Sequence, residues 1–179
     1  MRELFDEILA LLAVQPVALA RIVDRTGTGP RDTGAAMAVA ADGRVVGSLS
    51  GGCVEAAVVT TASQVLRDGH ASTERFAAAD EFAVGLPCGG EIEVFVERLD
   101  ATDAPLFGAL VAALAAHEPV AYATTLESAP DRRLPRPGRA RATAPRDRAA
   151  AASSARRTAP RPPPTGHAPS SRSSAPPRA

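Results

Sequence analysis

The sequence predicts an α/β domain with a mixed sheet and flanking helices over residues 1–127, followed by a disordered Arg/Pro-rich tail over residues 128–179. Three observations predict it. Apolar residues at helical spacing alternate along the chain with short runs rich in β-branched residues. Glycine- and proline-containing breakers separate those segments. After Leu134 every large aliphatic and aromatic residue disappears. At 179 residues the chain has the length of about one ordinary domain, so one core is expected.

Leu4, Ile8, Leu11 and Leu12 recur at helical spacing over residues 3–14, with Glu3, Asp6 and Glu7 in the opening turns, where the helix dipole favours carboxylates. Val17–Val23 reads as a buried strand that runs into the breaker Gly27-Thr28-Gly29-Pro30. Residues 35–40 and 44–49 flank Asp42-Gly43, a dipeptide suited to the positive φ angles of a tight hairpin turn, and so predict two paired strands. The segment Ser48-Leu49-Ser50-Gly51-Gly52-Cys53 then leads into Val54, Ala57, Val58, Thr61, Val65 and Leu66, a helical repeat that ends at Gly69. Thr73–Phe76 predicts a short strand, Gly85-Leu86-Pro87-Cys88-Gly89-Gly90 a second glycine loop, and Glu91–Glu97 a strand whose alternation leaves one face wet. Leu106, Leu110, Val111 and Leu114 mark a last helix ending near His117, and residues 119–126 one more strand.

The formal charge of zero is a sum of two unlike segments. Residues 1–128 hold 8 Arg against 18 Asp and Glu, a net of −10; residues 129–179 hold 12 Arg against 2 Asp, a net of +10. With no large apolar side chain, the tail cannot offset the roughly 1–2 kcal/mol per residue that ordering a backbone costs. An out-of-frame translation of a GC-rich gene would produce such a tail, and lysine is indeed wholly replaced by arginine. The longest apolar run, Ile8–Val14, falls far short of the about 20 residues of a membrane span. The acidic N-terminus does not resemble a secretory signal, and a cytoplasmic protein is expected.

In the cytoplasm two cysteines are expected as thiols rather than as a structural disulfide. Cys53 follows Ser50, Gly51 and Gly52 at a strand-to-helix turn, where backbone amides and the helix start favour an anion such as phosphate. A thiol there is also expected to be acidified and to suit soft metals; the competing account is plain packing under the helix. Cys88, with Gly89 and Gly90, repeats the pattern before a strand, so the two loops are expected to face one ligand. The separation of the cysteines and the absence of a histidine partner argue against structural zinc, and no catalytic base is identified among His70, His117 and His167. Glu55 and Glu91 are second-rank candidates for holding a proton or a polar ring edge, against solvated carboxylates. Arg31 is a candidate for pairing a phosphate, against a plain surface arginine.

Taken together, Gly29-Pro30-Arg31, Gly34-Ala35 with Met37, Gly47-Ser48-Leu49-Ser50-Gly51-Gly52-Cys53-Val54-Glu55 and Gly85-Leu86-Pro87-Cys88-Gly89-Gly90 resemble, in order and spacing, the N-terminal module of the XdhC/CoxI family, from about residue 10 to residue 126. The resemblance implies a chaperone rather than an enzyme. It implies that molybdenum cofactor (molybdopterin) is bound as cargo by Cys53, Cys88, Gly51, Gly52, Gly89, Gly90, Ser50, Arg31 and Glu55, with Cys53 and Cys88 reaching the molybdenum. It further implies a xanthine dehydrogenase-like molybdenum hydroxylase as recipient, a cysteine desulfurase as a further partner, and a homodimer. Members usually continue into a Rossmann-like domain, absent here, so a truncated and impaired member is expected. Two readings compete: a small thiol oxidoreductase using Cys53 and Cys88 as a redox pair, and RNA binding through the Arg-rich tail, which lacks aromatic residues for stacking.

Overall fold

Residues 2–28, 31–77, 86 and 89–135 are described by the computed structural model. Cys88, the Gly29-Pro30 pair and the sequence from residue 136 lie outside the described residues.

The opening helix, α1 (Arg2–Leu12), buries Leu4, Phe5, Ile8, Leu11 and Leu12 on one face and carries Glu3 in its first turn. Three strands follow as a meander: β1 (Val17–Thr26), β2 (Ala36–Ala40) and β3 (Val45–Gly47). The β2–β3 turn forms where Asp42-Gly43 predicts it. Gly43 takes a φ of 86°, and Asp42 accepts the Arg44 amide at 3.0 Å, which stabilises the reversal. Next come α2 (Glu55–Asp68), which ends at Gly69 in the left-handed conformation, β4 (Ser72–Phe76) and β5 (Glu91–Leu99). A 3-10 turn at Ala101–Asp103, closed by reciprocal Asp100 and Asp103 capping, starts α3 (Ala104–Ala115). The strand expected over residues 119–126 reduces to β6 (Ala123–Thr124), paired with β7 (Arg132–Arg133). The expected domain limit at residue 127 therefore falls inside this hairpin, because β6 finds its partner after it.

The α/β class with flanking helices holds, and within the main sheet every described pairing is antiparallel, in the order β3-β2-β1-β5-β4. The short β1–β2 and β2–β3 connections allow only antiparallel neighbours. Among the described residues the helical crossover of this sheet, through α2, joins β3 and β4 at opposite edges, so it creates no adjacent parallel pair.

Both faces of the sheet are covered. On one, Val58, Ala62 and Val65 of α2 pack on Ala18, Ala20, Ile22, Met37, Val39, Val94 and Val96. On the other, α1 and α3 bring Ile8, Leu12, Phe107 and Leu110 against Val17, Leu19, Ala38 and Leu99. The wet face expected for β5 is accordingly corrected: Glu97 is fully buried, because the chain after α3 closes over it.

The strand registers fix what lies at each end. Thr26 pairs with Glu91, Phe76 with Ile92, Arg21 with Ala36 and Met37 with Gly47. The loops after β1, after β3 and before β5 therefore leave from one end of the sheet. Gly27 and Gly90 lie close together there: a Cβ placed on Gly27 would lie 3.5 Å from the Gly90 Cα.

Candidate functional site

At that sheet end the segment from Ser48 to Val54 turns from β3 into α2, and its geometry is set by one side chain. The Glu55 carboxylate faces back into the loop. Its Oε1 accepts the Ser48 hydroxyl at 2.7 Å and the amides of Leu49, Ser50 and Gly51 at 3.1, 2.8 and 3.0 Å. Its Oε2 accepts the Ser50 hydroxyl at 2.5 Å and the amides of Gly52 and Val54 at 2.9 and 3.3 Å. Burial raises the carboxyl pKa, but hydrogen bonds led by the Ser50 hydroxyl, then its amide and the Ser48 hydroxyl, outweigh it and hold Glu55 well below the usual carboxylate range.

This corrects two expectations. The glycine-loop amides expected to cradle a phosphate already face a carboxylate of the same chain, since a carboxylate at the helix start reaches them within one turn. Glu55 is neither a solvated helix carboxylate nor a proton holder; the donors around it favour the ionised form.

Cys53 is a free, exposed thiol and does not pack under α2. Both neighbouring residues donate their amides to Oε2 of Glu55, and Val54 is fully buried. The thiol is thus carried on an anchored turn and points to solvent. Arg31 is exposed and lines a cleft of about 230 Å³ with Leu4, Ala35, Ala36, Gly47 and Ser48. That is below the roughly 300–1,000 Å³ typical of small-molecule pockets. Gly89 is exposed with a φ of 76° and Gly90 is buried. Glu91 makes an ion pair with Arg75, which accounts for it without a ligand. The structure thus brings Arg31, Ser50, Gly51, Gly52, Cys53, Glu55, Gly89 and Gly90 to one end of the sheet; Cys88 falls outside the described residues. Among the described residues no three His, Cys, Asp or Glu gather as a metal site, and no described helix is long and apolar enough to cross a membrane.

A second polar cluster has no counterpart in the sequence reading. The buried Glu97 accepts Arg21 Nη2 at 2.7 Å and the Tyr122 hydroxyl at 3.1 Å on one oxygen, and Arg132 Nε at 2.7 Å and Thr124 Oγ1 at 3.3 Å on the other. Arg132 also reaches Asp103 at 3.0 Å and the Arg98 carbonyl at 2.6 Å, and the Arg21 guanidinium lies 4.8 Å from the Tyr122 ring centroid. Burial and the Glu97 charge raise the Tyr122 hydroxyl pKa. Each cation is turned inward onto Glu97, so the cluster ties the 122–132 segment to the sheet. One signal, a glutamate among the apolar residues of β5, marks it in the sequence, and that signal reads equally as a wet strand face.

Comparison with known proteins bears on the first cluster. Residues 10–77 match the model of the XdhC and CoxI family. The chain is 36% identical over 91 residues to the molybdenum cofactor insertion chaperone PaoD of Escherichia coli (strain K12), covering 50% of this chain and 29% of that protein. It is 41% identical over 83 residues to the uncharacterised protein YqeB of the same organism, covering 45% of this chain and 15% of that one. A solved structure described as a xanthine dehydrogenase from Bacillus halodurans aligns with a TM-score of 0.57 and 30% identity, over 65% of this chain and 36% of that one. The chain thus spans less than a third of either curated relative.

Proposed function

We propose that the chain, whose residues 10–77 match the model of the XdhC and CoxI family, is an accessory module that takes molybdenum cofactor as cargo, not an enzyme. One observation carries this reading: an exposed thiol, Cys53, stands on an anchored turn at the sheet end where Arg31, Gly89 and Gly90 also lie. The similarity to a cofactor insertion chaperone supports it. The donor set suits the cargo's chemistry. A thiolate is a soft ligand for a thiophilic metal, and glycines admit a flat pterin ring to close backbone approach. The phosphate goes to Arg31 beside its small cleft, since the loop amides are taken by Glu55. Cys88, beside Gly89, is the second thiol of this reading.

In the same reading the cargo is the sulfurated cofactor, its recipient is a xanthine dehydrogenase-like molybdenum hydroxylase, and a cysteine desulfurase supplies the sulfur. Affinity should be modest, because a cleft of about 230 Å³ encloses only part of the ligand and leaves little surplus over the roughly 4–15 kcal/mol that association costs. Equilibrium binding of purified cofactor under reducing, anaerobic conditions tests the proposal. The Cys53→Ala/Cys88→Ala chain should bind at least about tenfold more weakly than wild type, and more weakly than Arg31→Ala, whose exposed contact is screened by salt. Equal affinity of wild type and the double variant would remove the thiols from the function.

A further inference from the structure

We infer that the Glu55 carboxylate is the resident anion of the Ser48–Val54 loop and the positioning residue for Cys53. A glycine turn ahead of a helix is ordinarily open to an outside oxyanion, with its amides pointing at the ligand. Here two hydroxyls and five amides converge on one carboxylate of the same chain. The serines lock the cradle further: Ser48 Oγ accepts the Gly51 amide and Ser50 Oγ accepts the Val54 amide, each at 3.1 Å. The α2 N-cap residue, Val54, offers no capping side chain, and its own amide is tied to Glu55 Oε2 instead. Cys53 lies between two residues tied to the same oxygen, Gly52 and Val54. Gly51 and Gly52, with φ of 82° and 128°, have no other contact near the Cβ position to hold them. Without the carboxylate, the turn that carries the thiol loses its common anchor and gains a set of unpaired donors.

The inference rests on the proposed function only for what the thiol is for; the positioning itself is read without cofactor. The experiment uses the full chain, ligand-free, and follows amide hydrogen exchange residue by residue together with a nitroxide label on Cys53 in a Cys88→Ser background. In Glu55→Ala, exchange over residues 49–54 should accelerate at least about tenfold while β1 and β5 stay unchanged. The label should become more mobile. Sodium formate, which supplies the missing carboxylate, should reverse both changes, whereas sodium chloride at equal ionic strength should not. Unchanged loop exchange in Glu55→Ala overturns the inference, as does loop exchange that formate leaves fast or a label whose mobility never changes. Should Glu55→Ala also accelerate exchange in β1 and β5, Glu55→Gln replaces it, keeping the side-chain volume while removing the charge. Loop exchange about tenfold faster over an unchanged core then supports the inference, and unchanged loop exchange overturns it. Cofactor enters neither measurement, so a chain that fails to bind cofactor leaves this result standing, and the reverse also holds.

Discussion

At Glu55 the loop donors favour the charged carboxyl, so its folded pKa lies below the ordinary value of 4.5 and folding binds this proton less readily than the unfolded chain does. The stabilisation that follows is fully present above pH 4.5 and is lost as pH falls below it toward the folded value. Urea unfolding of wild type and Glu55→Gln between pH 7 and pH 3 checks this: the gap in stability should be constant at the upper end and narrow once the unfolded carboxyl protonates. A gap that persists unchanged to the lowest pH would mean that charge is not what the loop requires. The neighbouring residue, Cys53, owes its exposure to the same arrangement, since buried Val54 anchors the turn on one side of it and the Glu55-bound Gly52 on the other.

At the scale of elements, β3 and α2 depend on glycines in different ways. Gly47 ends β3 with a φ of 84°, and a Cβ there would lie 2.6 Å from the Ala36 carbonyl oxygen of the paired strand. Gly69 ends α2 with a φ of 76° and open space around the Cβ position. A left-handed alanine costs roughly 1–2 kcal/mol by itself. Gly69→Ala should therefore lose about 1 kcal/mol. Gly47→Ala should lose more than about 2 kcal/mol, because backbone must move as well. Urea midpoints of the two variants give the comparison, and equal losses would show that β2 and β3 separate freely. The Gly47 substitution should also distort the cleft beside Arg31, which Gly47 and Ala36 line.

For the whole molecule, the Glu97 cluster joins parts of the chain that are far apart in sequence: Arg21 lies 76 residues from Glu97 and Arg132 lies 35. Burial opposes the Arg132 charge, but Glu97 first and Asp103 next keep its pKa raised. A chain ending at residue 127 loses Arg132 and leaves one oxygen of the buried Glu97 with Thr124 alone at 3.3 Å. Compared with a chain ending at residue 135, it should be less stable by about 2–3 kcal/mol, the scale of a hydrogen bond to a charged group in a buried setting. Urea unfolding of the two chains measures the difference, and coincident curves would show that β7 is an ornament on a fold complete without it.

Patterns carried by neighbouring residues were legible in the sequence alone. Leu4, Ile8 and Leu11 mark α1, Asp42-Gly43 marks the hairpin, Gly69 stops α2, and the glycine-flanked Cys53 points to the sheet end where the candidate site lies. Such features depend on local backbone geometry and on which side of an element is apolar, and both are written at spacings of two to four residues. Tertiary structure alone decided the rest. Alternation along β5 distinguishes its two faces without saying whether a later segment covers the polar one, and Glu97 is buried because Tyr122, Thr124 and Arg132 arrive from beyond α3. The order of donors in the Ser48–Val54 loop likewise leaves open whether its amides meet an outside anion or an inside one. Glu55 settles that when the loop closes, because a carboxylate on the same chain reaches the donors with no association entropy to lose.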